Sequence, residues 1–389
     1  MKRVYMDHSA TTPVDPQVLR AMEPYLTEEY GNPSSVHRMG QIARNGVETA
    51  REQVARLLNA SPEEIIFTSG GTEADNLAIL GLMETMPPQG QNIITTAIEH
   101  HAVLDVFTYL GRKGYDVTIL PVNGYGMVEP ETLERAMKPN TVLVSIMHAN
   151  NEIGTIQPIK QLAAIARQGG AIFHTDAVQS VGRIPVDVKD LGVDMLSCSS
   201  HKLYGPKGVG CLYIKKGTGL SRRLYGGSQE RKLRSGTENV PGIVGFGMAA
   251  EIAGERMSES MKHLIDLGRY LSGSLQRLIP DTILTGDPVH RLPGHVSLCF
   301  KYVEGESILL MLDQMGIMAS SGSACTSGSL DPSHVLLAVG LPHEVAHGSV
   351  RLSLGRSNTR EEVDYVVQVL PGIIERLRTM SPMTGEGGI

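Results

Sequence analysis

The sequence predicts an α/β fold, with a large domain built around a mainly parallel sheet and a smaller α+β domain after it. Short apolar runs that are typical of strands alternate with helical patterns from residue 65 to residue 214, which favours a parallel sheet covered by helices on both faces. The alternation ends near Val240, where a long helical region begins. A chain of 389 residues, 41% of them hydrophobic, is long enough to build both cores.

The first 68 residues predict two loops, a helix and a strand. Segments 7–13 and 31–35 are polar and rich in turn-forming residues, as surface loops are. From Gln41 to Leu58 the apolar residues recur at spacings of three to four, which predicts an amphipathic helix. A short helix-start signature at Ser61 leads into an apolar run over 65–68, which we interpret as a buried strand.

A glycine turn follows that strand and opens the next helical pattern. The segment Ser69-Gly70-Gly71-Thr72-Glu73 puts glycines where an anion can approach the free amides and the dipole of a helix N-terminus. It lacks the Gly-Lys-Ser/Thr of a Walker A motif and the spacing of GxGxxG. Taken alone, the segment fits a phosphate site and an ordinary capped helix equally well.

Six further strand-like runs complete a predicted sheet of seven strands. Polar segments at 99–101, 148–152 and 174–179 follow three of these runs. They fall at the carboxyl ends of the strands, where sheets of this kind bind their ligands. The six runs are 92–98, 117–122, 141–147, 171–175, 195–199 and 210–214.

Beyond Val240 the sequence predicts a long helix and then a smaller sheet. Five leucines at positions 264, 267, 271, 275 and 278 form one apolar stripe of that helix. Thr359 and Glu362 have the spacing of a capping box that begins the final helix, and Pro371 is expected to interrupt it. Between these helices lie strand and helix patterns at 295–300, 304–315 and 349–354.

Composition excludes several classes of protein. The formal net charge is −6 with no basic block, so direct binding to nucleic acid is not expected. No apolar run approaches the roughly 20 residues that span a bilayer, and an acid at Asp7 comes too early for a signal peptide. The four cysteines lack CxxC spacing, which predicts neither a zinc site nor a disulfide framework. We expect a soluble cytoplasmic protein without a metal.

Lys202 lies between the end of a predicted strand and a Gly-Pro-x-Gly turn. An amine held there is partly desolvated, which favours loss of its proton and attack on carbonyl groups to form a Schiff base. A lone lysine in a polar loop is more often an ordinary surface residue. Its neighbours Ser199 and His201, together with an acid in an earlier strand, favour the functional interpretation.

That acid is Asp176, at the end of the predicted strand before it. A buried carboxylate needs a partner, and a protonated aromatic nitrogen is a suitable one. An acid and a lysine at neighbouring strand ends match a pyridoxal phosphate site, in which the lysine binds the aldehyde and the acid keeps the ring nitrogen charged. His100 could lie over the ring and move protons, although a single histidine is more often structural.

Four motifs resemble those of the fold-type I pyridoxal-phosphate enzymes of the class V aminotransferase group. A fifth segment, Ser320-Ser-Gly-Ser-Ala-Cys325-Thr-Ser-Gly328, resembles the cysteine desulfurases of the nitrogen-fixation and housekeeping iron–sulfur type. The resemblance runs from Asp7-x-x-Ala10 to the last helix and implies the fold-type I architecture. The four motifs are Gly70-Gly-Thr72-Glu73, Asp176-Ala-Val-Gln179, Ser199-Ser-His201-Lys202 and Arg234-Ser-Gly-Thr-Glu-Asn239.

The resemblance implies a role for each candidate residue. Gln179 would hydrogen-bond the phenolic oxygen of the cofactor, and Thr237 would reach the cofactor phosphate of a neighbouring subunit, which implies a homodimer. Arg351, with Asn151, would bind the α-carboxylate of the amino acid by its bidentate fork; a surface ion pair is the alternative for that arginine. The remaining cofactor contacts would be Gly71, Thr72, His100, Asp176, Ser199, His201 and Lys202.

Cys325 lies in a loop of serine, glycine and threonine that cannot bury it. An exposed, mobile thiol is a candidate nucleophile, and mobility suits a residue that takes sulfur at one place and delivers it at another. A regulatory surface thiol is the alternative. We expect a large domain over 15–256 and a small domain of 1–14 and 257–389 that carries this loop.

The resulting hypothesis is a cysteine desulfurase that converts L-cysteine to L-alanine and an enzyme-bound persulfide on Cys325. Sulfur-acceptor proteins, such as an iron–sulfur scaffold, would collect the sulfur. A selenocysteine lyase or an aminotransferase could share Lys202, Asp176 and Arg351, and an inactive scaffold of the same fold is a non-enzymatic rival. The identity of the acceptor and the preference between cysteine and selenocysteine stay open at this level.

Overall fold

A computed structural model describes residues 3–87, 90–322 and 332–380 of the chain. Strands and helices alternate through the first half, as the hydrophobic pattern predicts. The strands are β1 (Val4–Tyr5), β2 (Ile65–Thr68), β3 (Asn92–Thr96), β4 (Asp116–Leu120), β5 (Thr141–Ser145), β6 (Ile172–Asp176), β7 (Met195–Ser199), β8 (Gly210–Ile214), β9 (Thr282–Leu284), β10 (His295–Phe300), β11 (Ile317–Met318) and β12 (Ser349–Ser353).

The α-helices cover the sheets and form most of the second half of the chain. They are α1 (Pro16–Met22), α2 (Pro24–Thr27), α3 (Arg38–Leu58), α4 (Gly71–Met83), α5 (His101–Arg112), α6 (Pro130–Ala136), α7 (Ile159–Gln168), α8 (Val188–Leu191), α9 (Val240–Leu278), α10 (Gly305–Gln314), α11 (His334–Ala338), α12 (His343–Ala346) and α13 (Arg360–Met380). No helix in the described ranges is long and apolar enough to cross a membrane.

The central sheet has seven strands in the order β2-β8-β7-β6-β5-β3-β4. The pairs among β3, β4, β5, β6 and β7 are parallel, whereas β8 runs antiparallel to both of its neighbours. The prediction of a mainly parallel sheet of seven strands is therefore confirmed. The carboxyl ends of β5, β6 and β7 meet at one edge, and the site lies there.

Helices cover both faces of this sheet, because its strands are apolar on both sides. Neighbouring residues of β2 show the division: Ile65 and Phe67 pack into the core on the side of α3, α7 and α9, and Ile66 packs on the side of α4 and α5. Every residue of β3, β7 and β8 is buried. Burial on both faces is typical of strands that read as continuous apolar runs.

A second core forms around the three-stranded antiparallel sheet β12-β10-β9. The predicted leucine stripe of α9 contributes to it, with Leu264, Leu267, Leu271 and Leu275 buried against β10 and β12. The N-terminal strand β1 pairs in parallel with β11, and Val4 is buried in the same core. The domain boundaries at 14/15 and 256/257 stay a prediction, since α9 runs through the second of them unbroken.

The final helix corrects one expectation. The capping box is present, because Glu362 N donates to Thr359 Oγ1 at 3.3 Å and Thr359 N donates to Glu362 Oε2 at 3.1 Å. The expected interruption at Pro371 is wrong, because α13 continues through it to Met380. Proline removes one helical donor, but Leu370, Ile373 and Ile374 are buried on either side of it, and this packing keeps the helix continuous.

Candidate active site

A cavity of about 320 Å³ opens at the carboxyl ends of the central strands. It brings together residues from β6, β7, β12, the N-terminal segment and the starts of α4 and α5, which are far apart in the sequence. Ten of the predicted site residues line it: Gly71, Thr72, His100, Asn151, Asp176, Gln179, Ser199, His201, Lys202 and Arg351.

Lys202 is held on a short helical turn, Ser200–Lys202, that directly follows β7. Its Nζ donates to the backbone oxygens of Ser9 at 2.5 Å and Ala10 at 2.8 Å. The backbone on either side of it is bonded to the N-terminal segment, since His201 O accepts from Thr12 N at 3.1 Å and Tyr204 O accepts from Asp15 N at 2.9 Å. The amine is therefore directed into the cavity by a fixed backbone.

Asp176 is the last residue of β6 and is buried. Its Oδ1 accepts a hydrogen bond from Val178 N at 2.9 Å. Burial raises the pKa of this carboxyl, and the Val178 amide, His100 and Lys202 oppose the rise. A carboxyl in this position is ionised most readily when a further cation lies against it. The site thus suits a ligand with a protonated nitrogen.

His100 is the N-cap residue of α5, and its Nδ1 accepts from Ala102 N at 3.1 Å. The proton of the neutral ring is therefore on Nε2. Burial lowers the pKa of His100, and the positive charge of Lys202 lowers it further, against the opposing charge of Asp176. The imidazole is consequently neutral near pH 7, and its Nε2–H is a donor.

The glycine turn between β2 and α4 leaves room for an anion. Gly70 has a φ of +157°, and a Cβ added to it would meet nothing within 4 Å, so the turn is open. A Cβ on Gly71 would lie 2.6 Å from Val178 Cγ2, so a side chain there would displace that valine. The N-terminus of a three-turn helix faces this space, and the amides at such a terminus bind phosphate groups.

Two polar side chains from the β7 end complete that region. Ser199 is the last residue of β7 and lines the cavity. His201 Nδ1 lies 3.1 Å from Thr11 Oγ1, and burial together with the charge of Lys202 lowers the pKa of its imidazole to about 4. Both line the same cavity as the start of α4, and His201 remains neutral near pH 7.

Gln179 and Arg351 carry unsatisfied polar atoms. Gln179 Nε2 donates to Ser9 O at 3.0 Å, and its Oε1 is buried with no partner among the described residues. Arg351 uses Nη1 on Asn151 O at 2.9 Å and Nη2 on Asp7 Oδ1 at 3.0 Å, while Nε is buried without a partner in those residues. Buried polar atoms of this kind normally have partners, so both side chains have capacity for a polar ligand.

Sequence reasoning missed five residues that line the cavity: Ser9, Ala10, Asp75, Met147 and Val178. The backbone oxygens of Ser9 and Ala10 contact Lys202, and no side-chain pattern could reveal a carbonyl contact. Asp75 lines the same cavity, and burial and the charge of Asp176 raise the pKa of its carboxyl. The signal for Asp75 was present: it is an acid among the apolar residues of α4.

Of the two remaining predicted residues, one lies elsewhere and one is outside the described part of the chain. Thr237 is exposed and does not line this cavity; the nearby Arg234 is bonded through Nε to Glu73 Oε1 of α4 at 2.9 Å. Cys325 lies outside the described residues, so its role stays a prediction. Within the described ranges, no group of three or more His, Cys, Asp or Glu residues could hold a metal ion.

Relatives named cysteine desulfurases match nearly the whole chain in sequence. A cysteine desulfurase IscS of Methanosarcina thermophila is 54% identical over 384 residues, covering 98% of this chain and 95% of the relative. A cysteine desulfurase IscS of Dictyoglomus turgidum is 51% identical over 387 residues, covering 99% and 98%.

Solved structures of similar proteins superpose on nearly the whole chain. A NifS-like protein superposes with a TM-score of 0.91 at 43% identity, covering 97% of this chain and all of that one. A structure described as SspA in complex with cysteine gives a TM-score of 0.82 at 35% identity, covering 92% of this chain and all of that one. The profile of the family "Aminotransferase class-V" matches residues 4–366. With that match and these relatives, the chain belongs to the class-V aminotransferase family.

Proposed function

We propose that this protein is a pyridoxal-phosphate-dependent cysteine desulfurase, a sulfurtransferase that takes sulfur from L-cysteine and leaves L-alanine. The observation that carries the proposal is the meeting of Lys202, Asp176 and the open α4 turn in one cavity. Relatives that are at least 50% identical over nearly the full chain and are named cysteine desulfurases support the choice of reaction. The SspA structure in complex with cysteine supports the choice of substrate.

The residues of the cavity fit pyridoxal phosphate. Lys202 supplies an amine for its aldehyde, Asp176 a carboxylate for its ring nitrogen, and the unpartnered Gln179 Oε1 an acceptor for its phenolic hydroxyl. The α4 turn with Gly71 and Thr72, and the side chains of Ser199 and His201, would hold the phosphate. When bound, the cofactor acts as an electron sink for the α-carbon of an amino acid.

The protein's own groups would then orient the substrate and move protons. Arg351 and Asn151 hold the α-carboxylate, and a bidentate pair of this kind fixes the orientation of the amino acid. Lys202 carries a proton to and from the α-carbon through Nζ. His100, neutral with its proton on Nε2, presents that N–H as a donor to a group of the substrate.

Cys325 is the proposed sulfur acceptor within the chain. Its thiolate attacks the substrate sulfur, so that an S–S bond forms and the Cβ–S bond of cysteine breaks. The electron pair of the broken bond stays with the carbon skeleton, and protonation there gives alanine. Each turnover thus converts L-cysteine and one enzyme thiol into L-alanine and one enzyme persulfide. A thiolate of a sulfur-acceptor protein then takes the outer sulfur, which returns the enzyme cysteine to a thiol.

A cysteine-replacement experiment tests this reaction. Cys325→Ala should keep the yellow bound cofactor but lose nearly all production of alanine from cysteine, by roughly 10²-fold or more because the attacking group is gone. Cys299→Ala is the matched control, since Cys299 is buried in β10 and its loss should leave alanine production largely intact. Full activity in the Cys325 variant would remove that residue from the mechanism.

The lysine has its own test. Lys202→Ala should abolish the absorbance that arises when cofactor is bonded to the protein amine, while the cofactor is still retained by the other contacts. An unchanged spectrum would reject the assignment. Aminotransferase activity is the alternative function within the family, and the names of the relatives do not favour it. Turnover of alanine with a keto acid, without desulfuration of cysteine, would establish that alternative.

The partners and location belong to the same proposal. We infer a homodimer, supported by the exposed position of Thr237 outside its own cavity, and an iron–sulfur scaffold or similar protein as sulfur acceptor. Light scattering of the purified protein would test the dimer, and copurification from the native cell would identify the acceptor. Fractionation of those cells would test the expected cytoplasmic location.

A further inference from the structure

Arg351 pairs with a carboxylate of its own chain. Its Nη2 donates to Asp7 Oδ1 at 3.0 Å, and the arginine side chain is 4% exposed while the aspartate is 19% exposed. The two residues are 344 positions apart, so the fold has brought them together. The resemblance assigns the arginine to the substrate carboxylate, and it leaves the aspartate without a role.

We propose that Asp7 is a built-in competitor for Arg351, a carboxylate that pairs with the guanidinium between turnovers, weakens the hold on a substrate or product carboxylate, and so promotes release of the amino-acid product. The proposal rests on the proposed function in that Arg351 binds the amino acid. It makes Asp7 a positioning residue, because it acts through Arg351 and not on the reacting atoms.

The backbone around Asp7 is fixed while its side chain can turn. Ser353 N donates to Met6 O at 2.7 Å and His8 N donates to Ser353 O at 3.1 Å, so residues on both sides of Asp7 are bonded to β12. Ser9 N also donates to Ser353 Oγ at 2.8 Å. Rotation about the side-chain bonds of Asp7 breaks none of these contacts. Exchange of one carboxylate for another at Arg351 therefore needs no movement of the segment.

The remaining contacts of Arg351 leave it ready for that exchange. Nη1 is held on Asn151 O at 2.9 Å, which fixes the plane of the guanidinium when Asp7 turns away. Nε is buried with no partner in the described part of the chain, so the group has an unused donor. A second carboxylate beside Asp7 would meet a like charge, and that repulsion favours either the substrate or Asp7 at the arginine, not both.

In this proposal Asp7 lowers the affinity of the site for amino acids and raises the rate of turnover. A buried arginine that has no competing carboxylate in its own chain binds the carboxylate of a ligand strongly. The product alanine carries the same carboxylate as the substrate, so tight binding would slow its departure. An aspartate that returns to the arginine lowers the affinity for both amino acids and speeds the step at which alanine leaves.

Asp7→Asn tests the proposal in the cofactor-loaded protein. The variant should bind L-alanine about tenfold more tightly, because a competing charge is lost, and it should show a lower KM for cysteine with a lower kcat. Alanine binding is measured by calorimetry or by the change in cofactor absorbance. L-Alaninamide, which lacks the carboxylate, should bind the variant and the unaltered protein equally. Unchanged or weaker alanine binding in Asp7→Asn would overturn the proposal.

Two further variants separate charge from structure. Asp7→Glu keeps the charge and should bind alanine close to the unaltered protein; tightening equal to that of Asp7→Asn would reject a charge effect. Asp15→Asn is the matched control, since Asp15 pairs with Arg356 outside the cavity, and its alanine affinity should not change. Should Asp7→Asn unfold, Asp7→Ser removes the same charge and gives the same test.

The experiment also distinguishes this proposal from the proposed function. Alanine and alaninamide report on a carboxylate at Arg351 whether or not cysteine is the true substrate. If the protein does not desulfurate cysteine but Asp7→Asn binds alanine more tightly, the proposed function is wrong and the proposed exchange at Arg351 is still supported. Normal desulfuration with unchanged alanine binding would remove only the role of Asp7.

Discussion

At the scale of single residues, three buried acids around the cavity differ in their neighbours and therefore in their charge. Burial raises the pKa of Asp75, Glu99 and Asp176. Only Asp176 among them has both His100 and Lys202 opposing that rise, so it is the acid best placed to be ionised beside a ring nitrogen. Glu99, with a pKa raised to about 8, is mostly protonated near pH 7 and adds little negative charge to the site, and neither His100 nor Lys202 opposes the rise in the pKa of Asp75.

Glu99 gives a pH-dependent prediction. It is fully buried, with Oε1 accepting from Thr96 Oγ1 at 2.6 Å and from Met147 N at 2.9 Å, and burial raises its pKa to about 8. Between the pKa of an exposed glutamate, about 4.3, and about 8, the folded protein holds a proton that the unfolded chain has lost. The contribution of Glu99 to folding stability therefore falls as the pH rises through this window.

Glu99→Gln removes that dependence. Glutamine can accept the same two hydrogen bonds and has no proton to lose, so the variant should gain in melting temperature relative to the unaltered protein as the pH rises from 5 to 9. Glu63→Gln, at an exposed position, is the control and should show no such trend. A melting-temperature difference for Glu99→Gln that does not change with pH would show that Glu99 is already ionised in the folded state.

At the scale of elements, strand ends and helix starts determine where the chemistry lies. β6 ends at Asp176, β7 ends at Ser199 two residues before His201, and α4 begins at Gly71. These ends converge because β6 and β7 are parallel neighbours and α4 packs on β6, β7 and β8. A parallel sheet thus gathers side chains that are more than 100 residues apart.

Gly71 links the α4 turn to the strand beside it, and its replacement is a test at this scale. In Gly71→Ala the new Cβ would lie 2.6 Å from Val178 Cγ2, so the valine or the start of α4 must shift. We expect cofactor affinity to fall about tenfold, since a shift of a few tenths of an ångström disturbs hydrogen bonds to a phosphate. Dialysis followed by measurement of bound cofactor checks this.

A second glycine in a helix supplies the control. A Cβ on Gly273 of α9 would meet nothing within 4 Å, so Gly273→Ala should keep full cofactor affinity and gain slightly in stability, by about 0.5–1 kcal/mol. Equal cofactor retention in Gly71→Ala and Gly273→Ala would mean that the α4 turn does not hold the phosphate.

At the scale of the whole molecule, two cores meet at the cavity. The central sheet supplies Lys202 and Asp176, and the smaller sheet supplies Arg351 from β12. The N-terminal segment bridges them, because Asp7 contacts Arg351 while the Ser9 and Ala10 carbonyls accept from Lys202. Both cations of the site are therefore held by one stretch of chain.

The proposed dimer gives a prediction at the same scale. If Thr237 serves the cofactor phosphate of the neighbouring subunit, a heterodimer of a Lys202→Ala subunit and a Thr237→Ala subunit contains one site with both residues intact. We expect that heterodimer, made by coexpression with two tags, to bind cofactor and produce alanine at about half the unaltered level, as one of two sites works. A heterodimer no more active than the Thr237→Ala homodimer would place Thr237 at its own cavity.

Much of the fold was readable from periodicity. Four strands match the predicted runs at both ends: Ile65–Thr68, Met195–Ser199, Gly210–Ile214 and His295–Phe300. A short apolar run bounded by polar turns is typical of a buried strand. Periodicity does not predict β1, β9 or β11, since strands of two or three residues are too short to show a period. The sequence wrongly predicts a break in the last helix at Pro371. The packing of its neighbours outweighs the lost hydrogen bond, and that packing exists only in the assembled core.

The sequence by itself determined the chemistry available to this protein: a lysine and an acid at neighbouring strand ends, a glycine turn before a helix, and an arginine on a late strand. These are properties of residue type and of spacing along the chain, which fix the position of each residue on its own strand, turn or helix. Only the tertiary structure decided which groups touch. The Ser9 and Ala10 carbonyls on Lys202 and the Asp7 carboxylate on Arg351 could not be foreseen, because every residue has the same carbonyl and because a contact across 344 positions depends on how two cores close on one another.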